Sequence, residues 1–166
     1  MWDRIIAEFS DMPSQLMVAR ALLENGFGIT EDAKVHCNGF EIPATQIGRM
    51  VGVDRRVVDS TTHHILDSPN IRDIFLNMRA TPDLSRVAGI MDLSVITLLP
   101  TDAKQKGIVG DAVKILVEHE LTIRQIFVTD PMLSEEPRLV MIIEDRVPGD
   151  VYEELRSLPR VKQLII

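Results

Sequence analysis

The chain has 166 residues, 45% of them hydrophobic and 26% charged, a balance that suits one large or two small globular domains and excludes disorder and fibrous architecture. Its 18 basic and 25 acidic side chains leave a net charge of -7, which argues against passive attraction to nucleic acid or anionic membrane, because phosphate binding is driven by cations. No apolar run approaches the roughly 20 residues that span a bilayer, and the single cysteine, Cys37, excludes an intramolecular disulfide and a Cys-rich zinc site.

The first ten residues carry Asp3, Arg4 and Glu8 where a signal peptide needs an unbroken apolar core. They read as an amphipathic helix with Ile5, Ile6 and Phe9 on one stripe, and the expected location is cytoplasmic. A second core helix carries Leu16, Ala19, Leu22 and Leu23, opened by Pro13 and Ser14 and stopped by Gly26. Asn38-Gly39 between AKVHC and FEI predicts a small β-hairpin. Cys37 beside His36 is expected to be buried rather than reactive. Met12, Met17, Met50, Met78 and Met91 read as core filler.

Helical spacing returns from Ala44 to Leu66 and ends at Asp67, Ser68 and Pro69. Within it, Ile47, Gly48, Gly52, Val53 and Val58 occupy the places that a helix-turn-helix requires: a buried residue and a small one in the first helix, a glycine at the turn, an apolar residue after it and a buried aliphatic in the second helix. Asp54 stands where its carboxylate meets the unpaired donors of the second helix. Arg55, Arg56, Asp59, Ser60 and His63 then fall where a recognition helix presents side chains to base edges, and Gln46 and Arg49 where they reach phosphates, with Val35 to Phe40 as a wing. Between Ile42 and Leu66, Arg49, Arg55 and Arg56 stand against Asp54 and Asp59, a net of about +1, so the electrostatic footprint is small. The alternative is that the arginines form ordinary surface ion pairs on a scaffold that binds protein. His63 and His64 point about 100° apart on a helix and do not share a metal.

Residues 81–92 suit a linker between a domain at 1–80 and one at 93–166. After it, SVITLLP, GIVGDAVKILVEHE, TIRQIFVTD, RLVMIIED, PGDVYEELRSL and VKQLII alternate as strand, helix, strand, strand, helix and strand. That order predicts a ferredoxin-like βαββαβ sandwich and, with the helical first half, an α+β fold class. Ile108, Ala112, Ile115, Leu116 and His119 on one helix, and Val151, Leu155 and Leu158 on the other, face the same side of the sheet. Gly107 lets the backbone approach a bound group, the free N–H groups of the helix that follows favour a carboxylate, and Lys104 and Lys106 add charge. The plainer alternative makes Gly107 a turn residue only. No GxxxxGK[ST], HExxH or GxSxG pattern is present, no nucleophile, base and orienting group can be assembled, and no cofactor, metal or enzymatic activity is expected.

The strand, loop and helix LLPTDAKQKGIVGDAVKILVEHE followed by TIRQIFVTD resembles the ACT domain, a small-molecule-binding regulatory fold. Asp102 and Gly107 match its pattern, while Lys106 replaces the usual Pro, Thr122 stands where Asn is common, and the loop is longer by about two residues. The resemblance implies a homodimer with an amino acid between subunits, held by Asp102, Lys106, Gly107, Ile108 and Val109 of one and Arg124, Gln125 and Ile126 of the other. Through EIP-TQIGR-VGVDRRVVD and RVPGDVYEELRSLPRVK the whole chain resembles a group of archaeal predicted regulators of amino-acid metabolism, with an N-terminal helix-turn-helix and a C-terminal ACT domain. This implies a regulator, and the leading reading is one that responds to an amino acid or small carboxylate at the ACT-like dimer interface and binds DNA through the helix-turn-helix. The alternative is a regulatory or scaffold subunit whose N-terminal domain docks onto a metabolic enzyme.

Overall fold

A computed structural model describes residues 2–102, 105–129, 134 and 136–166. The chain forms two compact units, Met1–Pro82 and Asp83–Ile166. Unit 1 begins with helices α1 (Trp2–Glu8) and α2 (Pro13–Glu24), continues through a three-stranded antiparallel sheet of β1 (Gly28–Ile29), β2 (Val35–Cys37) and β3 (Phe40–Glu41), and ends in α3 (Ala44–Val51), α4 (Arg55–Asp67) and α5 (Arg72–Leu76). Pro13 opens α2, where a missing N–H costs nothing, and Gly26 follows its end at φ 65°. Ile5, Phe9, Ala19, Leu22, Ile47, Val58 and Phe75 are buried in the unit's core.

The expected hairpin forms as β2 and β3, paired through His36↔Glu41 and Cys37↔Phe40. Asn38 and Gly39 both take positive φ, 49° and 93°, the conformation that a two-residue type I′ turn demands. A third strand, β1, adds Gly28↔His36 and Ile29↔Val35. The hairpin is also fastened to the far end of the unit: Asn38 Nδ2 donates to the Ala80 carbonyl at 2.9 Å, and the Ala80 N–H donates to Asn38 Oδ1 at 3.1 Å.

Between α3 and α4 the backbone turns at Gly52, φ 80°, whose N–H donates to the Gly48 carbonyl at 2.8 Å, as does the N–H of Val53. The Val53 carbonyl lies 2.7 Å from where a Cβ on Gly48 would stand, so the two helices meet only because that position lacks a side chain.

Several burial expectations are corrected. Ile6 is 40% exposed, because α1 buries only the Ile5 and Phe9 side of its stripe. Of the five methionines expected as core filler, Met17, Met50 and Met91 are 51%, 53% and 46% exposed, and Met12 and Met78 are half-buried. Cys37 is half-buried at the end of its short strand.

In unit 2 a turn of 3-10 helix, Ala88–Met91, precedes β4 (Ser94–Pro100), α6 (Ile108–Glu118), β5 (Ile123–Val128), β6 (Leu139–Ile143), α7 (Gly149–Ser157) and β7 (Val161–Ile165). The strands form one antiparallel sheet in the order β5-β6-β4-β7, the ferredoxin-like arrangement expected from the βαββαβ order. Ala112, Leu116, Val151 and Leu155 of the helices pack with Ile96, Leu98, Leu139 and Met141 of the central strands, so both helices cover one sheet face. On the other face Val140 and Ile142 are also buried, which explains the unbroken apolar run of β6.

Two glycines make opposite predictions. Gly48→Ala forces Cβ into the Val53 carbonyl and is expected to destabilise unit 1 by about 1–3 kcal/mol. Gly110→Ala, inside α6 with nothing within 4 Å of the new methyl, is expected to stabilise unit 2 by roughly 0.5–1 kcal/mol. Urea melts of the two variants check both signs.

Candidate functional site

Helix α4 buries Val58, Thr61, Thr62 and Ile65. At about 100° per residue the opposite face carries Arg56, Ser60 and His63, flanked by Arg55 and Asp59, and all five are exposed. The two buried threonines cost little, because their hydroxyls donate to the carbonyls of Val57 at 2.6 Å and Asp59 at 3.0 Å. Asp54 caps the helix, its carboxylate accepting from the Arg56 N–H at 2.8 Å. His63 Nδ1 donates to the Asp59 carbonyl at 2.7 Å, which leaves Nε2 outermost. Gln46 and Arg49 are exposed on α3.

Among the described residues, Arg49, Arg55 and Arg56 make no ion pair, unlike Arg20, which holds Glu24 at 2.6 Å. Among the described residues, then, Arg55 and Arg56 have no carboxylate within salt-bridge distance. The hairpin stands beside α4, with Lys34 and Glu41 sharing a small cleft with Asp59 and Thr62. Phe40, next to the hairpin turn, is 80% exposed, a feature that the pattern of the sequence does not single out. His64 points elsewhere, its ring 5.0 Å from that of Phe9 and its Nε2 3.8 Å from Glu8. Among the described residues no group of three His, Cys, Asp or Glu side chains could hold a metal ion, and no helix is long and apolar enough to cross a membrane.

In unit 2, Gly107 takes φ 108° immediately before α6, and among the described residues no side-chain hydrogen bond caps that helix start. Lys106 and Gly107 are exposed, Val109 is 37% exposed and Ile108 half-buried. Lys104 lies outside the described residues. Asp102 is exposed, and its carbonyl accepts from the Gln105 N–H at 3.1 Å.

Arg160, absent from the residues singled out by the sequence, lies over this loop. Its guanidinium carbon is 3.5 Å from the position of a Cβ on Gly107, and it pairs with Asp111 in the first turn of α6. Its carbonyl accepts from the Thr101 N–H at 2.9 Å. The signal lay in the topology: β7 pairs with β4, through Pro100↔Val161, so the residue before β7 must meet the loop after β4.

The β5 residues divide. Arg124 sits at a bulge and pairs with Glu144 at 2.9 Å. Gln125 faces away from the helices, and its Oε1 accepts from the Leu84 N–H at 3.1 Å. Ile126, 37% exposed, lies on the opposite side of this edge strand.

No protein-family model and no curated protein matches the chain. Among solved structures it is similar to an AsnC family transcriptional regulator from Agrobacterium tumefaciens, at 10% identity and a TM-score of 0.28, over 92% of this chain and 85% of that one. So loose a superposition does not establish a shared arrangement.

Replacing the cap, Asp54→Ala, is expected to destabilise unit 1 by about 1 kcal/mol. Arg55→Ala is expected to stay within about 0.5 kcal/mol, because the side chain is exposed and makes no ion pair among the described residues. Thermal or urea unfolding separates the two.

Proposed function

We propose that the chain is a cytoplasmic, ligand-responsive regulator of amino-acid metabolism rather than an enzyme, and that it binds DNA through the outer face of α4. The observation that carries the proposal is that face itself: it is exposed, capped at its start by Asp54, and furnished with arginines that no carboxylate among the described residues neutralises. Arg55, Arg56, Asp59, Ser60 and His63 meet base edges or the adjoining backbone, with Gln46 and Arg49 on phosphates.

Unit 2 supplies the response. A small carboxylate, of which an amino acid is the proposed case, seats at Asp102, Lys106, Gly107, Ile108 and Val109, with Arg124, Gln125 and Ile126 of a second subunit closing the site. Two features support dimerisation through this unit: β5 is an edge strand with Ile126 and Val128 exposed, and α6 exposes Val109 and Val117. Regulation then requires the carboxylate to favour one arrangement of the dimer by about 1–3 kcal/mol.

A second reading, a subunit that docks onto a metabolic enzyme, draws on a groove between α2 and α3 rimmed by exposed Met17 and Met50.

Fluorescence anisotropy on labelled duplexes tests the DNA reading. With about six phosphate contacts per dimer, affinity should fall about a thousandfold between about 50 and 200 mM salt. Absence of duplex binding, with recovery of one enzyme on an affinity column, would select the docking subunit. A thermal-shift screen of the amino acids tests the effector site: a ligand at about 100 times its Kd adds about 2.7 kcal/mol of stability.

A further inference from the structure

Four of the concavities around the helices of unit 1, among the described residues, differ in their charges. In the groove between α2 and α3, Arg20 is held by Glu24. At the end of α4, Arg72 shares its cleft with Asp67 and Asp73. In the small cleft beside the hairpin, Lys34 faces Glu41 and Asp59. The fourth, about 320 Å³ between the start of α2 and the outer side of α4, is lined by Met12, Pro13, Ser14, Gln15, Arg56, Val57 and Ser60. It contains a cation and no carboxylate. Asp11, next to Met12 in the chain, is exposed and outside the lining.

The polar groups of this fourth concavity suit an anion. Arg56 makes no ion pair among the described residues. Ser60 Oγ accepts from Gln15 Nε2 at 3.0 Å, an arrangement that leaves Ser60 its hydroxyl proton to donate, while Gln15 Oε1 is buried without a partner among the described residues. The same bond ties the start of α2 to α4 and fixes the seat relative to the outer face. Arg55, about 100° round the helix from Arg56, does not line it. The seat is open and adjoins the face that carries His63, where a docked duplex brings a phosphate of each strand past about every 3.4 Å.

We propose that Arg56 and Ser60 hold a backbone phosphate of the bound DNA in this seat, so that Arg56 sets the register of α4 and Arg55 reads base edges. The inference rests on the DNA-binding reading above and divides the labour of two adjacent arginines that the sequence treats alike.

The test compares Arg56→Gln, Arg56→Lys and Arg55→Gln in the full chain by anisotropy, on a random-sequence duplex and on the best duplex selected from a randomised pool with the wild type. Arg56→Gln is expected to weaken binding to both duplexes by the same factor and to lower the slope of log affinity against log salt by about 0.9 per protomer engaged. Arg56→Lys should restore the slope, since an ammonium also neutralises a phosphate. Arg55→Gln should instead reduce the preference for the selected duplex. Loss confined to the selected duplex in Arg56→Gln, or an unchanged salt slope, would overturn the proposal. Arg56→Gln weakening an inorganic phosphate complex while leaving duplex affinity intact would overturn it too, in favour of a free-anion site. Absence of duplex binding by the wild type would remove the DNA reading itself, and this assignment with it.

Discussion

The geometry of unit 1 hangs on one absent methyl group. Gly48 lets the Val53 carbonyl come to 2.7 Å from where Cβ would stand, and only at that distance can α3, the turn at Gly52 and α4 close as they do. Once the turn is closed, the direction of α4 is set, Val58 and Ile65 enter the core, and the remaining side of the helix is left for Arg55, Arg56, Ser60 and His63. The exposed face thus follows from a packing constraint on the opposite side of the motif.

Charge acts on a different scale from packing. Residues 1–92 carry 9 basic and 13 acidic side chains and residues 93–166 carry 9 and 12, so the excess of acid is spread along the whole chain. An evenly acidic chain discourages unspecific association with polyanions, whereas three arginines on one motif that make no ion pair among the described residues act within a Debye length of about 8–10 Å. The proposed interface depends on local placement. Net charge governs how strongly the rest of the surface opposes it.

Much of this was legible because the two periods of secondary structure are legible. The strand SVITLLP matches β4 residue for residue, and the sheet order follows from the βαββαβ pattern. The exposed positions on α4 follow from its helical period together with the glycine and aliphatic spacing of the turn. What escaped was set by contacts distant in sequence or by elements too short to show a period. Strand β1 has two residues, which cannot display alternation. Arg160 reaches Gly107 only through the pairing of the first and last strands of the sheet, and Gln125 is engaged by the backbone of Leu84. Met17, Met50 and Met91 misled because flexible thioether side chains fit surface grooves as readily as cores, and composition does not distinguish the two.

The hydrogen bonds between Asn38 and Ala80 bear on how the molecule ages. In an Asn-Gly sequence the backbone nitrogen of the glycine has little steric hindrance to attack on the asparagine carboxamide carbon, a step that expels ammonia to form a cyclic imide, which water then opens to aspartate or isoaspartate. Here both ends of that carboxamide are engaged, the nitrogen as donor and the oxygen as acceptor, so the side chain must leave Ala80 before it can turn toward its neighbour. Deamidation would also replace the Nδ2 donor by an anionic oxygen facing the Ala80 carbonyl. The fastening that orders the hairpin therefore also slows its chemical decay, and where decay does occur it turns the attraction into repulsion.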